Sequence, residues 1–294
     1  MIYQFIDTQR AEFTISMLTR VCKVSRSGYH RWDRQGGRET YEAFLAAHEK
    51  LKEQVLAAWK ANRSIYGAPR LARELWDQDI EVSVATVARL MVELNIQGAS
   101  GRTKIITTRS DRHAEKSDDL VKQNFSVDEL DVLWVSDLTY IGTKEGWLYV
   151  VAIMDACSRR ILGSAMGETM DTTLFIRALN QAKATRGRAT LPETIFHSDH
   201  GSQYTSEQFR EALRISRISQ SMGSVGDSYD NAMAEALWAS LKKELVYRND
   251  FTTREEARIA IFDWIHWYNR TRRHSSIGYI SPNQFEEGAR VQAA

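Results

Sequence analysis

The 294-residue sequence predicts an α/β fold in which a mixed five-stranded sheet is flanked by helices and preceded by a small all-helical region. Three runs rich in β-branched and aromatic residues, VLWVSDLTYI (132–141), WLYVVAIMDA (147–156) and RRILGSAMGE (159–168), are separated only by short turns, the pattern of an antiparallel meander. After them, ETIFHSD (193–199) and a short stretch near 216–220 read as two more strands, alternating with helical stretches at 171–185 and 205–214. Strands joined by helical crossovers pair in parallel, so the sheet is expected to be mixed. Before about residue 100 the apolar residues recur at helical spacing instead.

Taken in order, 15–32 carries Ile15, Leu18, Val21 and Cys22 at helical spacing, a break at KVS, and Ser25 as the cap of a second short helix bearing Tyr29 and Trp32. A fuller helix-turn-helix pattern follows at 63–98. Pro69 suits the first turn of a helix bearing Leu71, Leu75 and Trp76, QDIEV breaks the period, and Ser83 caps a helix with Val84, Val87, Leu90, Met91 and Leu94 on one stripe. Thr86, Arg89 and Glu93 are left on or near its exposed side, so this helix is expected to enter a DNA major groove or, alternatively, to pack only on protein. Arg70 on the preceding helix joins Thr86 and Arg89 as a candidate DNA contact. The stretch after Gly98 is polar, basic at its start and without period. It reads as a linker whose Arg102, Lys104, Arg109 and Arg112 either track phosphates or are simply solvated. Two helices, 231–247 and 253–270, are expected to close the chain. The implied division is a helical segment at 1–38, a helix-turn-helix domain at 39–100, a basic linker at 101–126 and an α/β domain at 127–294.

Composition narrows the function classes. With 43% apolar residues the chain can build proper cores. Cys22 and Cys157 have neither metal-ligand nor disulfide-framework spacing, which suits a reducing cytoplasm. The longest clean apolar run, WLYVVAIM, is far below the ~20 residues that span a bilayer. The net charge of +1 hides a partition: residues 1–126 carry 20 Lys and Arg against 16 Asp and Glu, whereas 127–294 carry 19 against 22. The basic half is the expected DNA reader, and the acidic half is where metal ligands would sit.

The chemistry-bearing residues are three carboxylates, Asp137, Asp199 and Glu235, with 35 residues between the last two. Asp137 interrupts a strand expected to be central, where an unpaired charge is costly and a metal is the natural partner. Asp199 ends a second strand, and Gly201 just beyond it leaves room for the chain to turn and a ligand to approach. If the strands are parallel neighbours, both carboxylates meet at one edge of the sheet. Glu235 lies in the first turns of a helix whose Ala234, Leu237, Trp238, Leu241 and Leu245 would pack on the sheet. Carboxylates so arranged are expected to converge on two magnesium ions that clamp the attacking and leaving oxygens of an in-line phosphoryl displacement; manganese, which takes the same oxygen ligands and geometry, should substitute. Lys242, seven residues after Glu235, falls on nearly the same helical face about 10 Å along the axis, placed for a DNA phosphate or for a helix-surface ion pair.

Other residues have competing readings. His197 and His200 flank Asp199 but point to opposite faces of a strand and lack a third closely spaced ligand, which argues against zinc. Asp155 reads as a turn former, Asp230 as a helix cap, and Asn231 as a support for the site. Phe262, Trp264, Ile265, Trp267 and Tyr268 read as helix packing. Arg270, Arg272 and Arg273 would either grip a DNA backbone or satisfy the carbonyls at a helix end.

The strings WVSDLTYI, YVVAIMDACSRRILG, HSDHGSQYTS, SVGDSYDNAMAEALWASLKKE and RRHSSIGYISPNQF resemble the integrase core of bacterial insertion-sequence transposases, of the kind whose second reading frame encodes a retroviral-integrase-like catalytic protein. The resemblance runs from about Tyr66 to Phe285. It implies an RNase H-like fold, Asp137, Asp199 and Glu235 as the metal-binding triad, and Lys242 as the associated basic residue. It also implies cleavage of the element's ends to leave a 3′ hydroxyl, followed by attack of that hydroxyl on target DNA without a covalent protein intermediate. The expected partners are transposon-end and target DNA, further copies of the chain assembled on DNA, and an upstream-frame partner or fusion. That upstream frame commonly supplies a heptad zipper, and this chain shows no sustained heptads. A DNA-binding regulator, or a nuclease of the same fold that never joins strands, are the alternatives.

Overall fold

The computed structural model describes residues 2–34, 36–99, 127–222 and 232–292, and the chain divides into two compact units, Met1–Gly98 and Ala99–Ala294. Arg102, Lys104, Arg109 and Asn231 lie outside the described residues.

The first unit is helical: α1 (Ile2–Gln9), α2 (Ile15–Val21), α3 (Arg26–Arg34), α4 (Gly37–Ala61), α5 (Ala68–Trp76) and α6 (Val84–Glu93). Ile6, Leu18 and Tyr29 bury one small cluster, and the Tyr29 hydroxyl donates to Asp7 at 3.0 Å. Ser83 caps α6 by accepting from the Thr86 N–H at 3.1 Å, and Val87, Leu90 and Met91 turn inward against Leu71 and Leu75 of α5. Val84 is exposed, so the inward stripe is narrower than the sequence suggested. The 25-residue α4 packs along both helices of this pair, burying Val55 and Ala58, and the Trp59 indole donates to the Gln97 carbonyl at 3.1 Å.

The second unit holds β1 (Leu133–Thr143), β2 (Gly146–Asp155), β3 (Ile161–Gly167), α7 (Thr172–Arg186), β4 (Ile195–Ser198), α8 (Glu207–Ile215), β5 (Ser219–Met222), α9 (Ala232–Glu244), α10 (Arg254–Arg270) and α11 (Pro282–Gln292). The strands form one sheet in the order β3-β2-β1-β4-β5. The meander is antiparallel, whereas β4 pairs parallel with β1 and with β5, as the helical crossovers require. The helix α11 was not anticipated, because only two closing helices were legible after residue 231.

On one face, Trp134, Val151, Ile153, Leu162 and Phe196 pack against Leu174, Phe175, Ala178, Leu179 and Ala182 of α7 and Phe209 and Leu213 of α8. Gly163 permits the close approach of α7 to β3, since a Cβ there would sit 2.2 Å from the Ala178 carbonyl oxygen. The helices α9 and α10 also pack on the sheet, contributing buried Leu237, Trp238, Leu241, Ala257, Ile261, Trp264, Trp267 and Tyr268. The aromatic stripe of α10 is therefore packing, except for Phe262, which is exposed.

Candidate active site

The register of β1 against β4 places the first two carboxylates. Leu133 pairs with Ile195 and Val135 with His197, so Asp137 and Asp199 each lie two residues beyond the last paired positions of two parallel neighbouring strands, whose spacing is about 4.8 Å. The pairing stops there: Asp199 is the first residue past β4, and beyond Val135 one edge of β1 has no β4 partner. One Asp199 oxygen accepts the Gly201 N–H at 3.0 Å, and a Cβ on Gly201 would lie 3.1 Å from that same oxygen. This glycine lets the chain turn back beneath the carboxylate.

Glu235 stands exposed in the first turn of α9, and α9 packs on β1. The three carboxylates share one electrostatic environment. The Asp137 carboxyl is pushed up to about 7, chiefly by burial, then by the negative charge of Asp199 and, more weakly, of Glu235; the Leu138 N–H that it accepts at 2.8 Å pulls the other way. Among the described residues no Lys or Arg pairs with any of the three. Nor are three His, Cys, Asp or Glu side chains gathered tightly enough to enclose one ion among the described residues. The carboxylates form an open cluster with surplus negative charge and all-oxygen donors, chemistry that would suit hard divalent cations.

Two further residues adjoin this cluster: Tyr204, which the sequence reading did not single out, and Trp238, which it read only as packing. Tyr204 is fully buried beneath it, its hydroxyl 2.8 Å from the Ser136 Oγ, and burial together with the charges of Asp137 and Asp199 drives its ionisation well above the usual range. Trp238, one turn after Glu235, is buried with its indole N–H lacking an acceptor at hydrogen-bonding distance, yet near enough to Asp137 to favour the ionised carboxylate. The only sequence signal for Tyr204 was its position inside a motif, five residues after Asp199, whereas Trp238 stood on the apolar stripe of its helix, three residues after Glu235.

Lys242 is half-buried on α9 with its Nζ 5.9 Å from the centroid of the Tyr140 ring, three residues along β1 from Asp137. His197 is buried and bonded through Nδ1 to Ser221 at 3.0 Å. Among the candidate DNA contacts, Arg89 is exposed, Thr86 is half-buried beside the α6 cap, and Arg70 is half-buried over the Tyr66 ring. Arg270 is exposed near His266. Arg272 departs from the expectation. It is buried and grips Glu244 with Nη2 at 2.6 Å and Nε at 2.9 Å, an ion pair that also receives the Trp264 indole N–H, so it joins α9 to the end of α10 and is not presented to DNA. Arg273 is half-buried and donates to the Tyr279 carbonyl at 2.9 Å, which orders the turn before α11.

Asp155 is likewise more than a turn former. It is buried, and its carboxylate accepts from the N–H groups of Cys157, Ser158 and Asp131 and from Arg186, which also binds Asp131 and Glu286.

Comparison with known proteins decides the family. The chain is 35% identical over 287 residues to transposase InsF for insertion sequence IS3A of Escherichia coli (strain K12), covering 97% of this chain and 98% of that one. This chain belongs to the IS3 family of insertion-sequence transposases. It is also 32% identical over 283 residues to the transposase for insertion sequence element IS629 of Shigella sonnei, covering 96% and 94% of the two chains. The integrase core domain matches residues 129–228 and again 216–282, and an HTH-like domain matches 47–104. The catalytic core of BIV integrase aligns with 56% of this transposase and 99% of that chain at 18% identity and a TM-score of 0.42. Near full-length kinship with transposases sets aside a regulator or a simple nuclease. No helix among the described residues is long and apolar enough to cross a membrane.

Proposed function

We propose that this transposase cuts the ends of its element and joins them to target DNA by direct transesterification, with Asp137, Asp199 and Glu235 holding two magnesium ions. The observation that carries the reading is the Asp137 carboxyl, pushed up to about 7 by burial and by two carboxylates that no cation among the described residues offsets. Such a site is completed by cations, and the group supplied when they bind is a pair of Lewis acids that activate the attacking oxygen and stabilise the leaving one.

The chain's own residues then have separate tasks. Asp137 and Asp199, fixed by strand register, set the position of the ions, while Glu235 approaches from α9 and Asn231 supports the same site. Lys242 holds a phosphate of the bound end. The helix α6, with Thr86 and Arg89, and Arg70 on α5 recognise DNA, and Arg102, Lys104, Arg109 and Arg270 follow its backbone. The protein acts in the cytoplasm at the nucleoid, as several copies assembled on DNA and with an upstream-frame partner or fusion.

The test is incubation of labelled element ends and a target plasmid with the full chain. Joined products are expected with magnesium or manganese and none with chelator. Cleavage without joining would reject strand transfer, and joining unaffected by chelation would reject the metal assignment. Magnesium should also raise the melting temperature of the wild-type protein but not of Asp137→Asn, a readout independent of catalysis.

A further inference from the structure

Two large aromatic side chains stand in solvent on the β1–β2 hairpin, beyond Asp137 along β1. Tyr140 on β1 is 45% exposed and Trp147 on β2 is 53% exposed, their rings 5.0 Å apart in an edge-to-face pair at 80°. The register explains the pair: Trp147 lies opposite Gly142, whose missing side chain leaves the indole room to lean across the strands, and Tyr140 is two residues from Gly142 on the same face.

The hairpin that carries them is held firmly. Arg254 donates from its backbone N–H to Glu145 at 2.8 Å and from Nε to the Trp147 carbonyl at 3.1 Å, and the Lys144 N–H donates to the Phe251 carbonyl at 3.2 Å. Positive charge adjoins the rings, with Lys242 over Tyr140 and the exposed Lys144 at the hairpin tip, its ammonium 3.7 Å from Asp250. Along an extended strand, Tyr140 is about 10 Å from Asp137 and, three residues on, projects from the other face of the sheet; Lys242, on the helix that carries Glu235, reaches round to its ring.

We infer that Tyr140 and Trp147 form a stacking platform for an unpaired nucleobase of the DNA strand being processed, with Lys242 and Lys144 receiving the adjoining phosphates. Rigid exposed aromatic rings flanked by lysines match the chemistry of single-stranded nucleic acid, because every base offers a π-face and its backbone a negative charge. Opening the terminal base pair would let the strand bend into the open carboxylate cluster, and the platform would offset the lost stacking. The inference rests on the active-site reading for its biological setting, but it can fail separately from it.

The test uses the full chain carrying Asp137→Asn, without added metal, so that no catalysis enters. A short oligothymidylate with one 2-aminopurine serves as the probe, read by fluorescence quenching and by titrated affinity. Quenching is expected on binding. Trp147→Phe and Tyr140→Phe should keep affinity within about two-fold, whereas Trp147→Leu and Tyr140→Leu, which retain apolar bulk but lose the π-face, should weaken it roughly ten-fold or more. An oligonucleotide with an abasic position in place of the aminopurine should bind the wild-type and leucine proteins alike. Leucine variants that bind and quench like the phenylalanine ones would overturn the platform, as would an absence of quenching in the parent protein. Normal quenching in this protein together with undiminished strand joining by the Asp137→Asn variant in magnesium would count against the triad alone and leave the platform standing.

Discussion

Two clusters of acidic side chains in the second unit have opposite fates. At one, Asp155, Asp131 and Glu286 surround Arg186, whose guanidinium reaches them at 3.0, 2.5 and 2.8 Å, and Arg160 adds a second cation on Glu286 at 2.5 Å. At the other, Asp137, Asp199 and Glu235 have no arginine or lysine partner among the described residues. The ionisation of the acids records the difference. Burial works to raise Glu286, but the hydrogen bond and charge of Arg186, with help from Arg160, hold it below the usual carboxylate range. The Asp137 carboxyl has only a backbone N–H and a nearby indole to set against burial and two like charges, and it rises to about 7. Acids neutralised from within the chain hold α7 and α11 to the sheet. Acids left uncompensated are the ones that the proposed cations would neutralise.

The largest effect expected from that contrast is on activity. Asp137→Asn, Asp199→Asn and Glu235→Gln should each lower strand joining by about 10³-fold or more while the protein still binds DNA, since the site works by electrostatic stabilisation. Joining assays beside gel-shift measurements decide this, and near-normal joining in any two variants would remove the distinction between the clusters. The matching change at the neutralised cluster is Arg186→Ala. It leaves Asp155 and Asp131 without a cation in or near the core, with Glu286 still held by Arg160, and should cost about 3–5 kcal/mol in chemical denaturation, with activity falling only as the folded fraction falls.

A smaller effect is expected at Lys242. Its alanine variant should slow end cleavage and joining by one to two orders of magnitude, as one charge-assisted phosphate contact contributes about 1.5–3 kcal/mol. Lys242→Arg should recover part of the rate. A lowered melting temperature with proportionate loss of rate would instead return Lys242 to helix packing.

The smallest effect sharpens the electrostatics directly. The folded protein binds the Asp137 proton more tightly than the unfolded chain does, so the stabilisation from the protonated carboxyl is complete below the unfolded value of 3.8 and is lost as pH rises through about 7. In the metal-free protein, Asp137→Asn should therefore melt several degrees above wild type at pH 8, with the gap closing toward pH 5. A gap independent of pH would show that the asparagine acts through packing.

The sequence by itself determined the order and kind of most elements, because period-two runs, helical stripes and caps such as Ser83 are local signals that folding did not override. It also singled out Asp137, since a charge inside an apolar strand is anomalous before any fold is known. What it could not supply was partnership. Arg272 and Arg273 stand in a basic run that reads as a DNA grip, and only the packing of α9 against α10 shows Arg272 committed to Glu244, 28 residues away in sequence. Asp155 resembles any turn aspartate until Arg186, 31 residues on, and the C-terminal helix close around it. Tyr140 and Trp147 look like ordinary strand residues until the register leaves their rings in solvent. A charge or an aromatic ring is given its role by its neighbours across the fold, and those neighbours are fixed by tertiary packing, whose long-range pairings leave no period in the chain.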